Sequence, residues 1–363
     1  MIFRPCSLLY QIFKKRKPEN VYDSALHLKL RKNNSDFHEW IKNIPYLICL
    51  IALFFVISCS KTEQPRIVPS VIPEESPRLL GVNHLYSIKG YFSSPAGIAV
   101  EPDKTIYVAD AGMDIIYILD GEGNMIDSTG RFGWRTGEFI KPMDLALDNR
   151  LTLYIADTGN DRIQKMNLVS KTFKVILGKD DVKLTESINL SAPESVAVDS
   201  SGSIYLTDTL NNRILKVDTL GRLQMEIKGS GGNKHQLVNP QGIAVDRMGN
   251  IYLANTDKHQ IHKLDFSGTL LDIWGQEGTS ESQFQYPTDL ALDKFGNLYV
   301  LDQGNRRIQV FDSQGTFLIQ FGKVILTKPI GVAVDNGLRV YVTDSESASI
   351  EIFRIIYQQP DSK

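Results

Sequence analysis

The stretch PMDLALDNRLTLYIADTGNDRI, residues 142–163, decides the fold. It opens with Pro142, which suits the first position of a strand because it needs no ladder donor there. A short apolar run follows, then a polar turn, then the run Leu153 to Ala156. The polar loop DTGND leads to Arg162 and Ile163, where a third strand begins. Two such short runs joined by turn residues read as an antiparallel pair.

Working outward, the same unit occurs six times. The Pro-led runs are PAGIAV (95–100), PMDLAL (142–147), PESVAV (193–198), PQGIAV (240–245), PTDLAL (287–292) and PIGVAV (329–334), at spacings of 47, 51, 47, 47 and 42 residues. The second runs are IYVA (106–109), LYIA (153–156), IYLT (204–207), IYLA (251–254), LYVL (298–301) and VYVT (340–343). A period in the forties with strand-like content and no helical pattern predicts propeller blades. The expected fold is all-β: a six-bladed β-propeller of four-stranded blades, spanning residues 80–357. The sixth unit runs out after its third strand, IEIFRI (350–355). The segment HLYSIKG (84–90) precedes Pro95 as TFLIQFG (316–322) precedes Pro329. The N-terminal strand is therefore expected to complete the last blade, leaving no unpaired edge at the seam.

At these residues the chain resembles the NHL repeat, the unit of six-bladed propellers. The resemblance covers about residues 84 to 355, and residues 157–163, DTGNDRI, lie close to its consensus. It implies the fold. For function it implies only a range: ligand-binding sensors, protein- or RNA-binding platforms, and a few metal-dependent lyases and lactonases.

The chain has 363 residues, 40 Lys and Arg against 42 Asp and Glu, 42% hydrophobic residues and three Cys. The balance is uneven. The residues before Cys59 hold 9 basic and 4 acidic side chains, which leaves 31 basic against 38 acidic in the rest. An acidic body repels phosphate backbones, so no nucleic-acid partner is expected. Residues 1–44 read as a long n-region or sequence upstream of the true start. Residues 45–58 form an apolar run too short for a spanning helix and suited to a signal peptide. It ends in VISC (56–59), which resembles a bacterial lipobox with Cys59 as the lipidated residue. Residues 59–79 then read as an acylated Cys and a Pro-rich tether, with Pro at 65, 69, 73 and 77, and residues 358–363 as a tail. The expected location is the cell envelope, lipid-anchored and extracytoplasmic, with the outer membrane favoured in a Gram-negative cell. With Cys6 and Cys49 in the head, the body carries no thiol for disulfide, metal or nucleophile.

Residues that differ between copies are the functional candidates. The residue two after each Pro is expected at the mouth of the axial channel: Gly97, Asp144, Ser195, Gly242, Asp289 and Gly331. Asp144 and Asp289 fall in blades 2 and 5, opposite one another, where they suit a divalent cation, ordered water or a ligand amine. Each also suits a local turn cap. Glu194 adds a third carboxylate. On the long inter-blade loop, Trp134 and Arg135 form a contact pair for a partner. An Asp and an Arg five residues on recur in blades 2, 3 and 5 (Asp157/Arg162, Asp208/Arg213, Asp302/Arg307), while blade 4 has Asn255/Gln260. These read as touching structural pairs. Asp110 and Asp344 lack the Arg, which leaves either other hydrogen-bond donors or an acidic patch.

No Walker loop, nucleophile elbow or dinucleotide fingerprint is present. The body histidines, His84, His235, His259 and His262, are not spread as a three-imidazole site requires. The expected function is a monomeric binding module for a protein or small molecule on the long-loop face. It would have no catalysis and no cofactor beyond an optional divalent cation at Asp144 and Asp289. The alternative is a divalent-metal lactonase- or lyase-like enzyme using the axial carboxylates.

Overall fold

The computed structural model describes residues 78–102, 104–148, 150–178, 188–229 and 236–358. The apolar run, Cys59, the tether as far as Pro77 and His235 lie outside the described residues, and Leu79, read as the tether's last residue, opens a strand. The described chain forms six four-stranded antiparallel sheets. The six Pro-led strands (Pro95–Val100, Pro142–Leu147, Pro193–Val198, Pro240–Val245, Pro287–Leu292, Pro329–Val334) each touch their neighbours in chain order, and the first also touches the last. The sheets therefore stand as blades around an axis lined by these strands.

Pairing runs outward in chain order in five blades. In the sixth, Pro329–Val334, Arg339–Asp344 and Ser349–Tyr357 take Leu79–Lys89 as their outer strand. That strand is antiparallel to Ser349–Tyr357, in a register from Leu79 opposite Tyr357 to Lys89 opposite Ser349. Glu351, buried in the third strand, fixes it sideways. Its carboxylate accepts from Ser87 Oγ at 2.6 Å and lies 2.8 Å from His84 Nε2.

The core is six inter-blade seams rather than one centre. Each seam groups the second-strand Tyr of one blade in one buried cluster with aliphatic residues of the next: Tyr107 with Leu145 and Ile155, Tyr154 with Val196 and Leu206, Tyr205 with Ile243 and Leu253. Tyr252 clusters with Leu290 and Val300, Tyr299 with Val332 and Val342, and Tyr341 closes the ring with Ile98 and Val108. Burying each large side chain contributes on the order of 2 kcal/mol. The invariant Ala of each first strand is the cross-strand partner of that Tyr, as Ala146 is of Tyr154 and Ala244 of Tyr252. Its small size makes room for the ring across the ladder.

A buried phenol needs a partner. All six hydroxyls donate to the carboxylate that opens the hairpin between strands one and two (Glu101, Asp148, Asp199, Asp246, Asp293, Asp335), at 3.1–3.5 Å. The five aspartates of this set also accept turn amides, as Asp246 does from Met248 and Asn250. In blades 2 to 6 one repeated Asp thus shapes the tight turn and anchors the Tyr, which explains why the pair recurs, and in blade 1 Glu101 anchors Tyr107.

Candidate functional site

The long inter-blade loops and the loops between strands two and three share one face. In blades 2 to 5 the latter carry one 3-10 turn each: Thr158–Asn160, Thr209–Asn211, Thr256–Lys258 and Gln303–Asn305. The residue after each turn is left-handed (Asp161, Asn212, His259, Arg306), as is Asp114 in blade 1. Four of these side chains accept the backbone N–H of the residue before the next blade's Pro: Asp114 from Lys141, Asp161 from Ala192, Asn212 from Asn239, and His259 Nδ1 from Tyr286. Those pre-Pro residues are themselves left-handed, Lys141 at φ 52°. This chain of contacts delivers Lys141 to the mouth of the axis.

A cavity of about 210 Å³ opens there. Its wall includes Lys141, Asp144, Glu194, Ser195, Thr288 and Asp289, with Gln241 and Gln303. Its three carboxylates are the Asp144, Asp289 and Glu194 that the sequence singles out. Sequence reasoning missed Lys141, whose position depends on the left-handed turn. It also missed Gln303, although a signal existed. In blades 2 to 4 a Thr at this place donates to the carbonyl of the next blade's Pro (Thr158 to Pro193, Thr209 to Pro240, Thr256 to Pro287). Blade 5 uses Gln303 for the same bond to Pro329, at 3.1 Å.

The two aspartates hold blades together as well as lining the cavity. Asp144 Oδ1 accepts the amide of Leu145 at 2.7 Å, and Oδ2 accepts Ser195 Oγ at 2.6 Å and the amide of Val196 at 2.9 Å. Ser195 Oγ in turn accepts the amide of Ile243, so blades 2, 3 and 4 are linked through one hydroxyl. Among the described residues, Asp289 accepts only the amides of Leu290 and Val332, at 2.8 and 2.7 Å. Blade 6 has Gly331 where blade 3 has Ser195. Both aspartates thus line the axis with their acceptor bonds going to their own strand and to the next blade rather than to a turn. Gly97 and Gly242 precede these aspartates in the ring, and a Cβ on either would strike the backbone of Asp144 or Asp289.

Burial sets the electrostatics. It pushes the Asp144 carboxyl up to about 6, against the bonds from Ser195, Val196 and Leu145. Burial first, and then the charge of Asp144, hold Asp289 well above the usual carboxylate range. Two carboxylates that sense each other across a cavity resist ionising together. Burial also raises Glu194, opposed by Lys141. Among the described residues, no group of three or more His, Cys, Asp and Glu is arranged to hold a metal ion.

Trp134 and Arg135 are placed elsewhere. Both side chains are exposed on the loop before blade 2 and neither lines the axial cavity. Their backbone is fixed: Arg162 donates Nη1 to the carbonyl of Trp134 at 2.6 Å and Nη2 to those of Arg135 and Glu138 at 2.8 and 2.9 Å. Arg307 repeats this on Thr279, Ser280 and Gln283. The loop is thus a standard scaffold, and Trp134, 65% exposed, is an addition to it beside exposed Phe132.

The recurrent Asp–Arg pairs touch as expected. Asp157, Asp208 and Asp302 bond Arg162, Arg213 and Arg307 at 2.7, 2.6 and 2.8 Å. Blade 4 departs from expectation: Asn255 Nδ2 meets His262 Nε2 at 3.1 Å rather than Gln260. Period two explains it, since a third-strand residue two positions on lies on the same face, as Gln164 does on Asp157. Asp110 and Asp344, which lack an Arg, are satisfied by backbone amides: Asp110 by Ser93, Ser94, Gly112 and Met113, and Asp344 by Thr327, Lys328 and Ser347. No acidic patch is needed to account for them.

Comparison with known proteins agrees with this geometry. The NHL repeat matches residues 237–264, 284–311 and 326–353. No curated protein matches the chain. Among solved structures, a streptogramin B lyase is 14% identical with a TM-score of 0.56, covering 77% of this chain and 100% of its own. A gluconolactonase from Xanthomonas campestris is 15% identical with a TM-score of 0.57, covering 77% and 95%. A chain of a nidogen/laminin complex is 20% identical with a TM-score of 0.52, covering 68% and 88%. At these identities the likeness is one of fold, shared by two enzymes and a chain of a nidogen/laminin complex. The chain is a six-bladed β-propeller that carries NHL repeats in its last three blades.

Proposed function

We propose that the protein is a lipid-anchored, extracytoplasmic binding module that holds its ligand in the axial cavity, without catalysis. The observation that carries this reading is the polar cavity itself, in which Asp144 and Asp289 spend oxygens on inter-blade bonds while Glu194 and Lys141 face the opening. Carboxylates committed to backbone amides make poor metal ligands, since a hard cation needs several free oxygens. The anchor is supported by the lipobox-like VISC at 56–59. Two measurements test the reading. Native mass spectrometry of the full chain extracted from membranes should show a small molecule retained by wild type and lost in Glu194→Gln. Radiolabelled palmitate should enter the wild type and not Cys59→Ala.

The second reading is a divalent-metal enzyme, favoured by the fold shared with a lyase and a lactonase. A stoichiometric divalent ion that copurifies with the chain and is lost in Asp144→Ala/Asp289→Ala would establish it and overturn the first.

A further inference from the structure

We infer that the axial cavity receives a primary ammonium group, seated between Glu194 and the corner made by Thr288 and Asp289. The inference rests on the axial-binding reading above and adds the class of ligand.

Unmet valences of different residues point the same way. The Thr288 hydroxyl oxygen is buried and has no hydrogen-bond partner. Such a group costs roughly 1–3 kcal/mol when left unsatisfied. Glu194 lines the cavity largely buried and accepts no hydrogen bond from the described residues, and burial alone raises it. Asp289 has two donors where its counterpart Asp144 has three, because Gly331 replaces the serine. A carboxylate accepts about four. These deficits all call for donors and positive charge, and the wall offers one cation, Lys141, against three carboxylates.

An ammonium brings three N–H donors and one charge on a slender stem. A quaternary ammonium brings no donor and is held by aromatic faces, and no aromatic residue lines this cavity. The volume of about 210 Å³ corresponds to roughly seven waters at ~30 Å³ each, enough for an aminoalkyl group. A free alkylamine and the side chain of a peptide lysine present this same chemistry.

The test is titration calorimetry of the full chain in detergent at pH 8, with n-butylammonium, tetramethylammonium and n-butanol as probes. Butylammonium is expected to bind at least about tenfold more tightly than either control. Glu194→Gln and Thr288→Val should each weaken it roughly tenfold, with an unchanged circular dichroism spectrum, and Thr288→Val, which removes an unsatisfied hydroxyl, should melt no lower than wild type. A lysine peptide and its Nε-acetyl form separate the sources. Tighter binding of the peptide than of butylammonium, lost on acetylation, assigns the group to a protein side chain; equal or weaker binding assigns it to a small amine. If butanol or tetramethylammonium binds as well as butylammonium and Glu194→Gln still weakens it, the ammonium assignment fails while the axial site stands. If no probe binds, the ammonium assignment fails; if native mass spectrometry of the wild type also shows no retained small molecule, the axial reading fails with it.

Discussion

Replacing Arg162 with Met isolates the cost of the buried charge pair from that of its cavity, because Met keeps most of the stem volume. Arg162 is 3% exposed and Asp157 is fully buried. The substitution removes the Nε bond to Asp157 at 2.7 Å and three bonds to the carbonyls of Trp134, Arg135 and Glu138. Asp157 keeps Ile140, Asn160 and Gln164 as donors but loses its cation. Stranding one member of a buried pair costs about 3–5 kcal/mol. For a domain of this size, each kcal/mol lowers Tm by about 2–4 °C, so a fall on the order of 10 °C is expected. The loop carbonyls lose their clamp at the same time, so trypsin should cut at Arg131 or Arg135 before it cuts the blades. The double variant Asp157→Asn/Arg162→Gln copies the neutral residues of blade 4 and should recover at least about 1 kcal/mol of the loss. Calorimetry and timed proteolysis read both effects. A single-variant loss below about 1 kcal/mol, or a double variant as weak as the sum of its singles, would refute the coupling.

Other outcomes follow from the same geometry. Asp144 holds its proton to about pH 6 when folded and to about 4 when unfolded, so its contribution to stability is full below pH 4 and fades as pH rises through 6. Asp144→Asn should therefore stabilise the protein at pH 8 by up to about 3 kcal/mol, less any bond the amide fails to copy, and the gain should vanish by pH 4 in denaturant titrations. Gly242→Ala drives a methyl into the backbone of Asp289 and should cost roughly 1–3 kcal/mol by the same titrations; an unchanged midpoint would show that the inner strands can part. Glu351→Ala leaves His84 and Ser87 without their shared acceptor, and hydrogen exchange along residues 79–89 should accelerate about tenfold or more while that of blade 3 stays fixed.

The blades were legible because each copy states the same local physics: Pro opening the inner strand, Ala across from Tyr, and Asp in the turn beneath it. Six statements of one rule survive substitutions in any one of them. The cavity was legible only in part. Asp144, Asp289 and Glu194 break the repeat and so stand out against it. Lys141 and Thr288 matter for reasons no linear reading holds: one is swung inward by a left-handed residue bonded to the previous blade, and the other matters through a bond it does not make. The error at blade 4 has a similar root. Asn255 and Gln260 are direct ladder partners, but the side chain that reaches Asn255 belongs to His262, one step further along the same face.

The outer strand of the sixth blade also has a mechanical meaning. Leu79–Lys89 lies antiparallel to Ser349–Tyr357 over nine paired positions. A pull on Arg78 resisted by cargo at the opposite, loop-bearing face would run along the strand rather than across it. The paired positions would then carry load in parallel, as a lap joint does in shear, and would not peel apart one by one as a zipper does. A tug between a tethered front end and a captured ligand would meet this joint in its strongest direction.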